Sequence, residues 1–198
     1  MSHSFDTEVL TARQRELFGA LLESFLAEGF ADFTIDSAVK RFRCSKSTLY
    51  ALGDSVDEIV RRTLISFFQE ISRRTHIALQ GHRTKRAELE AYFRCISNCL
   101  EPVSPAFMCD LATRPLAREL YDTNTKAATA RISNMIRAGI ENGEFRHASP
   151  EFLGIIVEGA MQQIQQGRIA DAVPAAQAYR ELGRLVLYGL VEEKKFYI

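Results

Sequence analysis

The sequence lacks any apolar run that approaches the roughly 20 residues a membrane-spanning helix requires. Its first residues include His3, Asp6 and Glu8 and no apolar block, so they do not resemble a signal peptide. The chain also has no excess of one charge, because 25 Lys and Arg balance 25 Asp and Glu. We therefore expect a cytoplasmic protein without a membrane partner, in which any attraction for nucleic acid is local.

Histidine and cysteine are too few and too scattered to indicate a metal site. There are four of each, and Cys95 and Cys99, which would share one helix face, have no histidine nearby to complete a ligand set. Glu144 and His147 have the spacing used in di-iron helical bundles, but such sites need that motif twice. We predict no metal. The thiols should be free and mostly packed in the core, which leaves a redox-sensing role open.

Catalytic motifs are absent as well. None of the histidines stands in a pattern with a nucleophile, and no glycine-rich loop could cradle a phosphate, because Gly139 and Gly143 are isolated. The sequence therefore predicts no catalytic residue, no cofactor and no enzymatic activity.

What the sequence does have is helical periodicity along almost its whole length, and nothing in it is typical of a strand. Hydrophobic residues make up 46% of the 198 residues, enough for a substantial core. The prolines at 102, 105 and 115 should break helices. The pattern predicts an all-α fold, with polar residues 1–9 outside it. The predicted helices cover residues 10–28, two short segments between 34 and 53, 55–79, 84–100, 106–111, 115–140, 152–169 and a last helix beginning at Pro174.

Residues 34–53 have the pattern of two short helices separated by a tight turn. Thr34 is a good N-cap, and Asp36 follows in the first turn, where the helix dipole favours an acid. Ser45 is a second N-cap only eleven residues later. A third cap, Ser55, stands three residues before Glu58 and predicts a capping box that opens the long helix. The segment is therefore predicted to form a helix, a turn and a second helix.

The second short helix carries the side chains that are best suited to contact DNA. Its first turn has side chains suited to phosphates and base edges, at the end of a helix that can enter a major groove. Between Ser37 and Gly53 there are four cations and no acid. This favours double-stranded DNA as a partner. The predicted DNA-contacting residues are Thr34, Arg43, Ser45, Lys46, Ser47, Thr48 and Tyr50.

Thr34-Ile35, the run from Ser45 to Tyr50, and Asp57-Glu58-Ile59 together resemble the DNA-binding domain of TetR-type transcriptional regulators. Residues 13–29 resemble that family's first helix and its closing glycine, so the resemblance covers about the first third of the chain. The remainder resembles the family in length and helical layout.

The sequence departs from the family pattern at three positions. Arg43 replaces a glycine, Gly53 an aromatic residue and Val56 a lysine. The last change removes one phosphate contact that the family pattern would supply. A side chain at position 43 should be strained by about 1 kcal/mol if the helix ends there in the left-handed conformation.

The resemblance implies an N-terminal three-helix helix-turn-helix domain, residues 1–55, and a C-terminal helical domain for ligand binding and dimerisation, residues 56–198. It also implies a ligand-responsive repressor that binds a palindromic operator as a homodimer and is released by a small-molecule effector. The alternative is a helical adaptor or protein-interaction module without DNA affinity. DNA binding that weakens as salt rises would separate the two.

Two further sets of residues are predicted for the C-terminal part. Large apolar side chains there, on short helices divided by proline, favour a cavity for a mostly apolar or aromatic ligand, with Tyr92 or Asn98 as its polar contacts. Small residues on the last two helices favour a four-helix dimer interface. The predicted ligand-binding residues are Phe67, Phe68, Ile71, Tyr92, Phe93, Ile96, Phe107, Met108, Leu111 and Met135. The predicted interface residues are Gly154, Gly159, Ala160, Leu182, Leu185 and Gly189.

Overall fold

The computed structural model describes residues 10–169 and 173–191, and within these ranges the chain forms nine α-helices and no strand. The predicted all-α fold is confirmed, while the predicted polar segment 1–9 lies outside the described residues. The helices are α1 (Ala12–Glu28), α2 (Ile35–Phe42), α3 (Lys46–Tyr50), α4 (Val56–Ala78), α5 (Lys85–Leu100), α6 (Pro105–Thr113), α7 (Pro115–Glu141), α8 (Pro150–Gln165) and α9 (Ala175–Leu190).

Most helices begin where a hydroxyl side chain caps them. The caps Thr34, Ser45 and Ser55 each accept a hydrogen bond from the backbone N–H three residues on. The predicted capping box of α4 is only half formed. The Glu58 carboxylate does not accept the backbone N–H of Ser55, because it accepts a 2.6 Å hydrogen bond from Arg62.

Prolines set three of the other boundaries, since Pro105, Pro115 and Pro150 each occupy the first position of a helix. Helix α6 is longer than predicted, and α8 ends at Gln165, four residues before the predicted end at Ile169. No helix in the two described ranges is both long and apolar enough to cross a membrane.

The apolar core is continuous from the N-terminal helices into the rest of the chain. Leu10 and Leu190 both belong to it, and α1 packs against both α4 and α6. Of the cysteines expected in this core, Cys99 is buried, Cys44 and Cys95 are half-buried and Cys109 is exposed. Helix α6 therefore turns Cys109 outward while its other side packs inward.

Helices α5 and α9 make an especially close contact. A Cβ atom added at Gly183 of α9 would lie 2.5 Å from the Cβ of Phe93 and 2.6 Å from its Cγ. Those atoms are fixed to the backbone of α5 and cannot move aside. The two helices can therefore approach this closely only because position 183 carries no side chain.

We expect Gly183→Ala to lower the free energy of unfolding by about 1–3 kcal/mol, the usual range for overpacking a close contact. Gly19→Ala is the matched control. Gly19 lies on an exposed part of α1 with nothing within 4 Å of an added Cβ, so the same change should stabilise the helix by about 0.5–1 kcal/mol. Urea denaturation at equal protein concentration measures both, and equal stability of the two variants would contradict the close α5–α9 contact.

Candidate DNA-binding surface and ligand cavity

Helices α2 and α3 form the predicted helix-turn-helix. The Thr34 hydroxyl accepts the N–H of Ser37, and the Ser37 Oγ accepts the N–H of Thr34, so this capping box is complete. Helix α2 buries Ile35 and Ala38, and α3 buries Leu49 completely. Those apolar contacts fix the position of α3 and leave its polar side chains outside.

The turn between the two helices has the predicted left-handed geometry. Arg43 ends α2 at φ 48° and ψ 47°, and among the described residues it is the one non-glycine residue with positive φ. Its N–H and that of Cys44 both donate to the carbonyl of Val39, and its own carbonyl accepts a 3.4 Å hydrogen bond from Arg13 of α1. These bonds hold a conformation that suits glycine better than arginine.

Hydroxyl groups cluster at the start of α3. The Ser45 Oγ accepts the N–H of Thr48 and lies 2.8 Å from both the Ser47 and the Thr48 hydroxyl oxygens. Ser45 therefore already has a structural role as the cap. Lys46 and Ser47 are exposed beside it, and the Tyr50 side chain is 46% exposed on the same short helix. The structure thus brings the predicted α3 residues onto one accessible surface.

Two of the four cations between Ser37 and Gly53 form ion pairs with acids that lie outside this segment. Lys46 Nζ lies 2.8 Å from an Asp36 carboxylate oxygen, and Arg41 pairs with Glu28 of α1. The hydrogen bond and the charge of Lys46 lower the pKa of Asp36. Lys40 and Arg43 form no ion pair with any described residue. The net positive charge of this surface is therefore smaller in the free protein than the sequence of residues 37–53 indicated.

A mainly apolar cavity lies among α4, α5, α6, α7 and the last two helices. It contains about 740 Å³ of empty space, including the part at its mouth that is open to solvent. Seven of the ten predicted ligand-binding residues line it. These are Phe67, Phe68, Ile71, Tyr92, Ile96, Met108 and Leu111.

The other three predicted residues do not line the cavity. Phe93 packs against α9 at Gly183, Phe107 is fully buried among the rings of Phe30 and Phe67, and Met135 borders a shallow groove on the outer side of α7. All three are buried, as the helical spacing indicated. Periodicity identifies a buried face but cannot tell which buried side chains border empty space.

Sequence reasoning missed the polar part of the cavity wall, which comes mainly from α7. Tyr121 donates a 2.9 Å hydrogen bond to the carbonyl of Met161 and lies 2.9 Å from the Tyr179 hydroxyl, and burial raises the pKa of both tyrosines. Asn98, in contrast, is exposed on the outer side of α5. A helical stripe of polar residues in α7 was the available signal. The missed polar residues are Ser72, Thr75, Tyr121, Asn124, Thr125, Arg131 and Tyr179.

The outer faces of α8 and α9 carry most of the exposed large apolar side chains. Of the predicted interface residues, Leu185 is 72% exposed there, and Gly159 and Gly189 have open space where a side chain would be. Gly154 and Leu182 face inward, Gly154 against Ser133 of α7, so we withdraw them from the predicted interface. Ala160 is half-buried. The exposed apolar side chains that sequence reasoning missed are Phe152, Ile155, Ile156 and Tyr188.

Solved structures of transcriptional regulators have a similar fold. The ketosteroid transcriptional regulator KstR2 of Mycobacterium tuberculosis matches 93% of this chain and 97% of its own length, at a TM-score of 0.65 and 18% identity. A TetR-family regulator from Agrobacterium tumefaciens matches 91% of this chain and 98% of its own, at a TM-score of 0.72 and 11% identity. A TetR/AcrR-family regulator from Thermobifida fusca has a TM-score of 0.67, 16% identity and coverage of 90% and 98%.

The chain has the fold of the TetR-type regulators. The resemblance drawn from the helix-turn-helix residues is thereby confirmed, and it extends over both the N-terminal and the C-terminal helices. Among curated sequences, the uncharacterized HTH-type transcriptional regulator YfiR of Bacillus subtilis is 23% identical over 205 aligned residues, covering 100% of this chain and 96% of the relative. No protein-family model matches the chain.

The left-handed turn makes Arg43 a direct test of the site. Arg43→Gly and Arg43→Ala both remove the guanidinium, but only glycine relieves the backbone strain, so the glycine variant should be more stable by about 1 kcal/mol. Urea denaturation of the two variants measures this difference. If the guanidinium contacts DNA, both variants should lose the same affinity in a DNA titration, and equal stability of the two variants would contradict the strained turn.

Proposed function

We propose that this protein is a cytoplasmic, DNA-binding transcriptional regulator of the TetR type, a repressor that binds a palindromic operator as a homodimer and is released by a small effector. The observation that carries the proposal is the outward surface of α3. A helix fixed by Leu49 presents Lys46, Ser47 and Tyr50 to solvent at the end of a complete helix-turn-helix. The TetR-type fold of the whole chain supports the same reading.

The proposed DNA contacts divide by chemistry. Lys46 and Tyr50 are exposed and long enough to reach phosphate or a base edge, with Arg43 at the turn beside them. Ser45 and Thr48 contact each other and hold the first turn of α3, so their part is to orient its N–H groups toward the DNA backbone. Thr34 does the same at the start of α2.

The Lys46–Asp36 pair must open before Lys46 can bind phosphate. The two side chains are both well exposed, 62% and 73%, so the pair is screened by solvent and can exchange for a phosphate contact. Asp36 would also repel the approaching backbone. The pair therefore lowers affinity for DNA in general and favours sites where Lys46 gains a good contact.

We expect Lys46→Ala to weaken operator binding and to reduce its salt dependence by about one ion, because one phosphate contact is lost. Asp36→Asn should instead strengthen binding, since it releases Lys46 and removes a negative charge near the DNA. Fluorescence anisotropy over a salt series, with operator recovered from bound genomic fragments, measures both changes.

Asp32→Asn is the control for net charge. Asp32 is exposed in the same N-terminal region and forms no ion pair with a described residue, so it should change affinity less than Asp36→Asn does. Unchanged affinity in all of Lys46→Ala, Thr48→Ala and Tyr50→Ala would contradict the proposed role of α3.

The outer face of α8 and α9 is the proposed dimer interface. One α3 helix can contact only a few base pairs of DNA. Tight binding therefore requires the α3 helices of two subunits, separated by the distance between successive major grooves. Ile155 and Leu185, 69% and 72% exposed, are the most exposed leucine or isoleucine side chains of the described residues. A two-fold axis would pair each face with its own copy and bury the apolar side chains of both.

We expect Ile155→Glu combined with Leu185→Glu to give monomers, because burying two carboxylates per subunit costs more than the contact gains. Ile77→Glu is the matched control, since Ile77 is 52% exposed on α4, which is not one of the two helices of this face. Light scattering after size-exclusion chromatography at low micromolar concentration separates the two outcomes. A dimer that persists in the double variant would place the interface elsewhere.

The proposed division at residue 55 leaves two helices that could carry a signal between the DNA-binding and ligand-binding parts. Helix α4 begins beside α3 and supplies Phe67 and Phe68 to the cavity. Helix α6 supplies Met108 to the cavity, while its Asp110 accepts the N–H groups of Phe30 and Ala31 at 2.5 and 2.8 Å.

A ligand that shifts α6 or α4 would therefore change the position of α1 to α3. Release of DNA requires that the effector bind more tightly to the conformation whose reading helices no longer match the groove spacing. By linkage, operator DNA must then weaken effector binding by the same factor.

A further inference from the structure

Among the described residues, one charged side chain lines the apolar cavity. Arg131 of α7 lines it, and no Asp, Glu or Lys does. Arg131 is half-buried and forms no hydrogen bond or ion pair with any described residue. Lys85, which shares the adjoining outer groove with Arg131, is in contrast paired with Glu88 at 2.7 Å. Arg131 is thus an uncompensated cation beside an apolar space.

A second unsatisfied donor lies on the same wall. Tyr92 is 3% exposed and lines the cavity, yet its hydroxyl forms no hydrogen bond with a described residue. Burial raises its pKa to about 12, against an opposing effect of the Arg131 charge, so the group stays protonated at neutral pH and can donate. The Tyr92 hydroxyl and the Arg131 guanidinium therefore remain available to a ligand, whereas the hydroxyls of Tyr121 and Tyr179 on the same wall already contact each other.

The remaining wall indicates the shape of a ligand. Tyr121 and Arg131 lie ten residues apart on α7, about 15 Å along the helix axis. Arg131 also borders the outer groove, which places it at the mouth, and the hydrogen-bonded Tyr121–Tyr179 pair lies deep in the wall. Between these ends the space is bordered by rings and aliphatic side chains such as Phe68 and Ile71.

We infer that this cavity binds an organic carboxylate with an aromatic or aliphatic body, whose charged group is held by Arg131 and the Tyr92 hydroxyl. A guanidinium and one hydroxyl supply donors to both oxygens of a planar carboxylate. Their single positive charge matches a carboxylate and leaves half of the charge of a phosphate dianion uncompensated. The apolar body extends from the mouth toward Tyr121. The inference rests on the proposed function only where the carboxylate is called the effector, since binding itself needs no DNA.

The test is isothermal titration calorimetry of the full chain with decanoate, 3-phenylpropionate and 2-naphthoate, each compared with its primary amide. The amide has the same shape and no charge. We expect at least one acid to bind more tightly than its amide, by about tenfold or more, the usual worth of a charge-assisted contact. Equal binding of acid and amide in every pair, or no binding of any acid, would overturn the inference.

Variants locate the anion site. In Arg131→Gln the preference for acid over amide should disappear while amide binding stays the same, and in Tyr92→Phe the preference should fall several-fold. Lys126→Gln removes the same charge from an exposed position on the same helix, outside the cavity wall, and should change nothing. Arg131→Gln should fold normally, because Arg131 has no hydrogen bond or ion pair with a described residue to lose, and circular dichroism checks this. A preference that survives in Arg131→Gln would refute the site.

A second readout separates this inference from the proposed function. The acid that binds best is added to the protein–operator complex, and release of DNA is followed by fluorescence anisotropy. Binding that depends on Arg131 without release of DNA would leave the carboxylate site standing and refute ligand-responsive repression. Release by the amide as readily as by the acid would refute the carboxylate as effector.

Discussion

The buried carboxylate of Asp110 is the contact on which the arrangement of the two ends of this molecule depends. It lies on α6 and accepts two N–H groups at the end of α1, from Phe30 and Ala31, while it is only 8% exposed. Hydrogen bonds to a charged group are worth about 1.5–3 kcal/mol each. An added Cβ at Gly29 would lie 2.5 Å from the same carboxylate, so the close approach requires a glycine there.

Other contacts at this junction support the same geometry. The side chain of Arg114 donates to the carbonyl of Ala31 and stands 5.8 Å from the centre of the Phe30 ring. Phe30 in turn packs edge-on against Phe107, whose ring meets Phe67 of the cavity wall. A chain of packed aromatic rings thus connects the turn before α2 to the wall of the cavity. It is a physical route for the ligand response that we propose.

Much of the helix-turn-helix that forms the candidate DNA-binding surface could be predicted from the sequence because its signals are local. A cap hydroxyl bonds an N–H three residues away, so Thr34 and Ser45 identify the starts of α2 and α3 without any knowledge of the fold. The left-handed conformation of Arg43 was expected only from the glycine that the resembled family has at this turn. The pairing of Lys46 with Asp36 could not be read this way, since it joins two helices across the turn.

The sequence by itself determined the helices, their caps and proline starts, and the helix-turn-helix, because each depends on residues within one or two turns of one another. Only the tertiary structure decided which buried side chains border empty space, since Phe68 lines the cavity and Phe93 packs against α9. It also decided which side of α9 is exposed, since Leu185 is exposed and Leu182 is buried. The same placement of the helices leaves Arg131 without a hydrogen bond or ion pair to any described residue. These properties depend on how neighbouring helices are placed, and side-chain periodicity within one helix carries no information about that placement.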